Sequence, residues 1–365
     1  MSKKNGFVEI YERCRSEIIE GKFPYGSVLL SEKGLADELN VSRPTIAKVY
    51  NSLQDEGFVI KKPGYGTTVI YSKDKKTHTF GLLLPGSGET EIFRIICDQY
   101  IQMEKTEDFR FLWEGTVANN ADVRKEIILK ICYSYIEKKI DGVFFSPLER
   151  TDRANDLNRK ICNLFDSKKI PVVLLDRDIF LFPNRSKFDL VGIDNFQAAY
   201  ILTEHLVESG CKKIHFFCRR NSAYTSDLRI AGCRYALSNA DISFGRVNIF
   251  VGEPNNLEVI KKIPITKGKT GIICANDSTA AILMSSLINL GLKVGYDFLI
   301  VGFDDMKYAK HLKVPLTTYR QPVEDIGKAS INIMLNRLRN IDEATITIAL
   351  SGSLVIRESS SFTLS

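Results

Sequence analysis

At 365 residues the chain is longer than one hydrophobic core usually fills, so more than one domain is expected. A composition of 44% hydrophobic and 26% charged residues with only 11 prolines excludes extended disorder. No run has the pattern of a signal peptide or approaches the roughly 20 apolar residues of a membrane span, which predicts a cytoplasmic protein with no membrane partner. The formal charge of +6 permits a polyanionic partner, and residues 1–79 concentrate it, with 13 lysines and arginines against 10 acidic residues.

In chain order, Phe7 to Glu20 repeats apolar residues at helical spacing until Gly21 and Pro24 stop it. A second helix should start at Ser31 as N-cap, burying Leu35, Ala36 and Leu39. After a turn at Asn40 and Val41, a third helix starts from Ser42, with Pro44 in its first turn and Ile46, Val49, Tyr50 and Leu53 facing the core. Two short helices joined by a tight turn are what a helix-turn-helix requires. Gly57 ends the third helix, and Phe58–Ile60 and Thr67–Ile70 read as two strands around the basic tip Lys61-Lys62-Pro63-Gly64-Tyr65-Gly66.

A recognition helix presents short hydroxyls and cations from its first turn to the major groove, and Ser42, Arg43, Thr45 and Lys48 are placed to do so. Lys33 is expected to meet phosphate, as are Lys61 and Lys62 on the hairpin, whose Gly64 and Gly66 would let the tip enter a groove. Singly, each of these is also readable as an ordinary solvated charge or a turn glycine.

The run from Phe7 to Val69 resembles the DNA-binding domain of the gluconate-repressor (GntR) family. The resemblance is carried by Leu35-Ala36-Asp37-Glu38-Leu39-Asn40-Val41-Ser42-Arg43, by Leu53-Gln54-Asp55-Glu56-Gly57 and by Gly64-Tyr65-Gly66. It implies a winged helix-turn-helix over residues 1–70 in which Ser42, Arg43, Thr45 and Gly66 approach operator DNA. The family's usual Pro-Ser-Glu-Arg is Leu30-Ser31-Glu32-Lys33 here, and the arginine common two residues after the recognition-helix threonine is Ala47. A point charge at Lys33 cannot replace an arginine fork.

Residues 71–78, rich in lysine at Lys73, Lys75 and Lys76, read as a linker. From Thr79 the pattern becomes alternating apolar strands and amphipathic helices, which predicts an α/β fold with parallel sheets covered on both faces. Ligands of such sheets bind beyond the strand C-terminal ends. Those positions hold Asp176 and Arg177, Asp194 and Asn195, Asn276 and Asp277, Asp304 and Asp305, and Arg320 and Gln321, with Arg229 near a helix start. Carboxylates, amides and an arginine fork facing a cleft suit a neutral polyol better than an apolar ligand. Helix capping explains Asp194 and Asp277 equally well, and an internal salt bridge explains Asp176 with Arg177 equally well. Trp113, Phe180 and Tyr224 are candidates to stack on the ligand ring.

Residues 79–359 resemble the effector-binding domain of the lactose-repressor (LacI) family, itself similar to periplasmic sugar-binding proteins. Leu175-Asp176-Arg177, Val191-Gly192-Ile193-Asp194-Asn195, Arg229-Ile230-Ala231-Gly232, Ala275-Asn276-Asp277, Val301-Gly302-Phe303-Asp304-Asp305 and Leu316 to Pro322 carry that resemblance, with Leu354 to Ser359 at the end. It implies a sugar cleft lined by Asp194, Arg229, Asn276, Asp304 and Gln321. It also implies two discontinuous lobes, one of about 79–194 and 321–345 and the other of about 195–320 and 346–359, before a tail at 360–365. The two parts together are similar to regulators of the arabinose-repressor type, which implies a small neutral effector of the pentose or deoxysugar class.

The reading is a homodimeric transcriptional regulator released from its operator by a sugar. Activation instead of repression is mechanically open, and an α/β enzyme is the rival class, disfavoured because no nucleophile with a base partner is present. Apolar faces at Ile92, Ile95 and Ile96 and at Ile331, Ile333, Met334 and Leu338 are candidates for the dimer interface or for internal core. The eight cysteines stand singly, without CxxC spacing or a matching histidine cluster, so they read as core residues, with neither a metal nor a cofactor expected.

Overall fold

The computed structural model describes residues 6–62, 65–71, 77–84, 92–105, 107–114, 121–149, 154–220, 222–267 and 270–361, with the side chains of 62 and 121–125 outside that description. Gly64 and the linker lysines Lys73, Lys75 and Lys76 therefore lie outside the described residues. The chain divides into two compact units, Met1–Thr77 and His78–Ser365.

The first unit carries α1 (Phe7–Ile19), α2 (Glu32–Leu39), α3 (Arg43–Asp55) and an antiparallel hairpin of β1 (Val59–Lys62) and β2 (Gly66–Val69). Ser31 caps α2 by accepting from the Gly34 amide at 3.0 Å, and Asn40 closes that helix in the left-handed region at φ 53°. That single residue makes the turn tight enough for α3 to begin at its Ser42 cap. Ile10, Ile18, Ala36, Ile46, Val49, Leu53 and Val69 form the core, and the Tyr50 hydroxyl donates to the Leu30 carbonyl at 2.8 Å. The Tyr71 ring packs at a tilt against Phe58, centroids 4.8 Å apart, so the head's packing runs one residue past the expected boundary at 70.

The second unit is two lobes, each built on a six-stranded sheet. In the first, β3 (His78–Leu83), β4 (Phe109–Leu112), β5 (Gly142–Phe145), β6 (Val172–Leu175), β7 (Asp189–Ile193) and β13 (Thr347–Leu350) run parallel in the order β13-β7-β6-β5-β3-β4. Helices α4 (Ile92–Glu104), α5 (Ala121–Glu137), α6 (Ala154–Ser167) and α11 (Val323–Arg339) belong with it. The second lobe orders β8 (Lys213–Cys218), β9 (Ile249–Val251), β10 (Thr270–Cys274), β11 (Phe298–Phe303), β12 (Thr317–Arg320) and β14 (Ser353–Val355) as β14-β12-β11-β10-β8-β9, with β14 antiparallel. Its helices are α7 (Asn195–Glu208), α8 (Thr225–Asn239), α9 (Leu257–Ile260) and α10 (Asp277–Asn289). Strands such as β5, β6 and β11 are buried along their whole length, as a sheet covered on both faces demands.

The chain crosses between lobes after β7, after β12 and between β13 and β14. Three expected boundaries move. The first lobe's return does not end at 345, because β13 pairs with β7 from Thr347 to Leu350. The linker gives way to the second unit at His78, which pairs with Phe109. The tail does not begin at Ser360, which is buried and bonds Thr317 Oγ1 at 2.6 Å and His205 Nε2 at 2.7 Å.

The apolar faces considered for a dimer are largely internal. Ile92, Ile96, Ile331, Ile333 and Met334 belong to the buried core, with Ile95 and Leu338 packed against it, and Tyr100 on α4 meets Ser330 on α11 at 2.6 Å. Of the cysteines, Cys14 is half-buried and the other seven are buried, where loss of solvation raises their thiol pKa values and keeps them protonated.

Candidate interlobe binding site and nucleic-acid interface

In the head, Ser42 Oγ accepts from the Thr45 amide at 3.4 Å and lies 2.8 Å from Thr45 Oγ1, so the two hydroxyls are tied together at the start of α3. Arg43 is the first residue of that helix, exposed, with Nε 3.3 Å from Glu32 Oε2. Lys33 is exposed, and Lys48 sets its ammonium 4.8 Å from the Phe7 ring centre. Gly66 has φ 85°, and a Cβ there would meet Val28 at 3.2 Å, so both conformation and space call for glycine.

Lys61 departs from expectation. Its ammonium donates to Glu32 Oε1 at 3.0 Å and Asn51 Oδ1 at 2.6 Å, and its backbone amide donates to Gln54 Oε1 at 3.0 Å. It is a strut between the hairpin and the helices, not a free cation at the wing tip. Its hydrogen bond is the leading reason that the Glu32 carboxyl is held below its ordinary pKa. Strand alternation was the available signal: Lys61 shares a face with buried Val59.

Between the lobes, Arg229, Asn276, Asp304 and Gln321 line one small polar cavity of about 40 Å³. Each is placed by an element end. Arg229 stands on α8, Asn276 caps α10 by accepting from the Thr279 amide at 2.9 Å, Asp304 follows β11 and Gln321 follows β12. Asp304 holds φ 112° and Asp305 φ 51°, while Asp176 across the cleft has φ 71°. Such backbone is costly for residues with a Cβ and is characteristic of functional sites.

The cavity is electrostatically crowded. Arg229 Nε donates to Asn195 Oδ1 at 2.8 Å, one Nη donates to the Ala275 carbonyl, and the guanidinium lies 4.1 Å from the Phe303 ring centre. Burial holds its basicity below the ordinary value, opposed first by Asp304. The Asp304 carboxyl accepts from Gln321 Nε2 at 2.8 Å. Burial pushes it up to about 7 against the pull of Arg229 and of that hydrogen bond, with Asp176 and Glu149 adding to the rise. Behind it, buried Asp277 accepts from Thr318 Oγ1 at 2.6 Å and the Met306 amide at 2.9 Å, and loss of solvation drives its carboxyl well above the ordinary range.

The first lobe contributes Phe93, Asp176, Arg177 and Glu149 to the same cavity. Arg177 pairs with Asp176 at 3.1 Å and Glu149 at 3.4 Å, so the ion pair considered as an alternative to a site role exists and also faces the cleft. Glu149 Oε2 accepts from the Ala223 amide of the other lobe at 2.8 Å, and Asn155 of α6 bonds the Tyr224 hydroxyl, so two hydrogen bonds tie the lobes together. Glu149 was legible by the rule that selected Asp176, since it closely follows β5; Phe93 carried no comparable signal.

Four expected ligand contacts lie outside this cavity. Asp194 is exposed, caps α7 by accepting from the Gln197 amide at 2.9 Å, and lines a neighbouring chamber with Phe180 and Tyr224. Trp113 lines neither space: it follows β4, the far edge of a sheet whose other edge, β7 and β13, borders the chamber.

Residues 8–69 match the family model described as bacterial regulatory proteins of the gntR family, and residues 203–360 match a periplasmic binding protein-like domain. Among curated proteins, the chain is 30% identical over 235 residues to a transcriptional repressor PurR of Haemophilus influenzae and 26% identical over 230 residues to one of Aliivibrio fischeri. Each match covers 61% of this chain and 65% of the relative, so the chain spans less than two thirds of the curated relatives' length. Among solved structures, the transcription regulator CcpA of Lactococcus lactis aligns at 22% identity and TM-score 0.63, covering 78% of this chain and 99% of that one. A transcriptional regulator CelR in complex with cellobiose aligns at 18% identity and TM-score 0.64, covering 91% and 100%. The chain thus joins a winged helix-turn-helix to a two-lobed, periplasmic-binding-protein-like α/β domain.

Proposed function

We propose that this chain is a transcriptional repressor whose GntR-type head binds operator DNA as a homodimer and whose interlobe cavity takes a neutral sugar that lowers operator affinity. The observation that carries this reading is the convergence of buried Arg229, Asp304 and Gln321 with half-buried Asn276 on one cavity beyond the strand ends. Two of Arg229's five N–H groups are committed to Asn195 and Ala275, which leaves an edge of the fork for adjacent hydroxyls. Asp304 accepts from hydroxyls on one side while Gln321 holds it on the other. Arg43, Ser42, Thr45, Lys33, Lys48 and the glycine wing make the DNA surface, with a pentose or deoxysugar ring as the effector unit at Arg229.

Sugar binding that favours one arrangement of the lobes shifts the population of DNA-competent dimers by as much as its differential affinity for the two states. The test selects duplexes from a random-sequence pool with the full chain. Binding of the selected duplex is then titrated against neutral sugars, with dimer stoichiometry read by sedimentation. Sequence-selective binding by two chains, weakened by a sugar, is expected. Unselective binding, or no response to any sugar, overturns the reading.

A further inference from the structure

The polar cavity at Arg229, about 40 Å³, does not by itself enclose a sugar ring, so a ring that meets Arg229 and Asp304 with one edge extends into a second space of about 370 Å³, which shares Asp176, Arg177 and Thr225 with it. That volume lies in the range of small-molecule pockets, roughly 300 to 1,000 Å³. The chamber runs between the lobes from the polar cavity toward β7 and β13. Its walls carry Phe180 and Phe182 from the loop after β6, Phe196 from α7, and Tyr224 and Leu228 at α8.

The loop that builds one wall is preorganised. Asp178 accepts from the Phe180 amide at 2.9 Å, the Ser186 amide at 3.1 Å and the Ser186 hydroxyl at 3.0 Å, pinning both ends of the segment that presents the two phenylalanines. Phe182 is 62% exposed and Phe196 37%, an unusual outlay of aromatic surface beside a polar cavity. At the rim stand exposed Asp194 and Arg185, an acceptor and a donor for hydroxyls.

We infer that the effector is a two-ring glycoside, with its sugar unit at Arg229 and Asp304 and a second ring, apolar on one face, packed against Phe180, Phe182 and Tyr224 in the chamber. This rests on the sugar-binding reading and adds the ligand's size. The second ring is that of another sugar or of an aryl aglycone; both offer a flat apolar face to aromatic walls, and the rim favours the sugar.

The experiment is calorimetric titration of the full chain with one-ring sugars (arabinose, xylose, ribose, glucose), their disaccharides (xylobiose, cellobiose) and their 4-nitrophenyl glycosides. A two-ring compound should bind at least about tenfold more tightly than its one-ring parent, a margin of the size that well-placed ring contacts supply. Phe182→Ala removes an exposed wall without touching the core, and should erase most of that margin while leaving one-ring binding unchanged. Leu228→Trp, which fills the chamber, should do the same. An advantage confined to disaccharides identifies the second ring as sugar, and one confined to nitrophenyl compounds identifies it as aryl. One-ring sugars that bind as tightly as any two-ring analogue, indifferent to both substitutions, overturn the inference and leave the sugar reading intact. No binding by compounds of either size overturns both.

Discussion

Replacing Arg229 by Met should destabilise the second lobe by an amount that depends on pH, and the dependence is the informative part. The substitution removes the hydrogen bonds to Asn195 and Ala275 and the packing on Phe303, while roughly keeping the volume. Leaving two buried acceptors unpaired costs about 2 kcal/mol, at the low end of the 1 to 3 kcal/mol typical of each. Asp304 adds a second cost, because Arg229 is the strongest influence opposing the burial that carries its carboxyl up to about 7. At pH 5.5 that carboxyl is mostly protonated in the folded protein and loses little with the arginine. At pH 8.5 it is mostly ionised and loses its compensating charge, so the total should approach the 3 to 5 kcal/mol typical of a broken buried pair. Calorimetry of wild type and variant at the two pH values reads this, at about 2 to 4 °C of Tm per kcal/mol for a unit of this size. The Tm deficit should be roughly twice as large at pH 8.5. An equal deficit at both would refute the coupling of Asp304 to Arg229.

The same raised carboxyl predicts that wild-type stability falls as pH rises from about 4 through about 7, because the folded state then holds a proton the unfolded chain has released; Asp304→Asn should make that slope shallower in urea titrations, leaving the part that raised Asp277 contributes. Asp304→Ala should cost about 1 to 3 kcal/mol of sugar binding through unpaired hydroxyls, leaving a folded protein that binds its selected duplex but is not released at the wild-type sugar concentration; a sugar titration identical to wild type would make Asp304 structural. Arg43→Ala should lose about 1 to 3 kcal/mol of discrimination between selected and random duplexes if Arg43 reads a base, whereas equal loss on both marks a phosphate contact. Lys61→Met should lower the head's thermal stability through the lost ties to Glu32 and Asn51 while leaving the salt dependence of DNA binding unchanged; a shallower salt slope would return Lys61 to the phosphate backbone.

Much of the architecture was written in local chemistry. The Ser31 and Ser42 caps, the left-handed turn at Asn40 and the Gly66 wing depend on near neighbours, so the order of residues was enough to place the helix-turn-helix and its hairpin. Alternating apolar strands and helices likewise dictated two mostly parallel sheets, and the rule that ligands sit beyond strand ends singled out Asn276, Asp304 and Gln321, which line one polar cavity with Arg229. What the sequence could not decide was which strand ends face each other. Asp194 and Asp176 both follow strands and both precede a polar partner, yet only Asp176 reaches the polar cavity, because β6 lies nearer the sheet centre and β7 borders the chamber. Trp113 was excluded by standing at the opposite edge, and β13 was reassigned by pairing with a strand more than 150 residues away. Lys61 shows the same limit at short range: its charge suggested solvent and phosphate, while the fold surrounds it with Glu32 and Asn51 and turns it inward. Long-range strand order and the pairing of buried charges are collective outcomes of closing the whole core, and only the tertiary structure carries them.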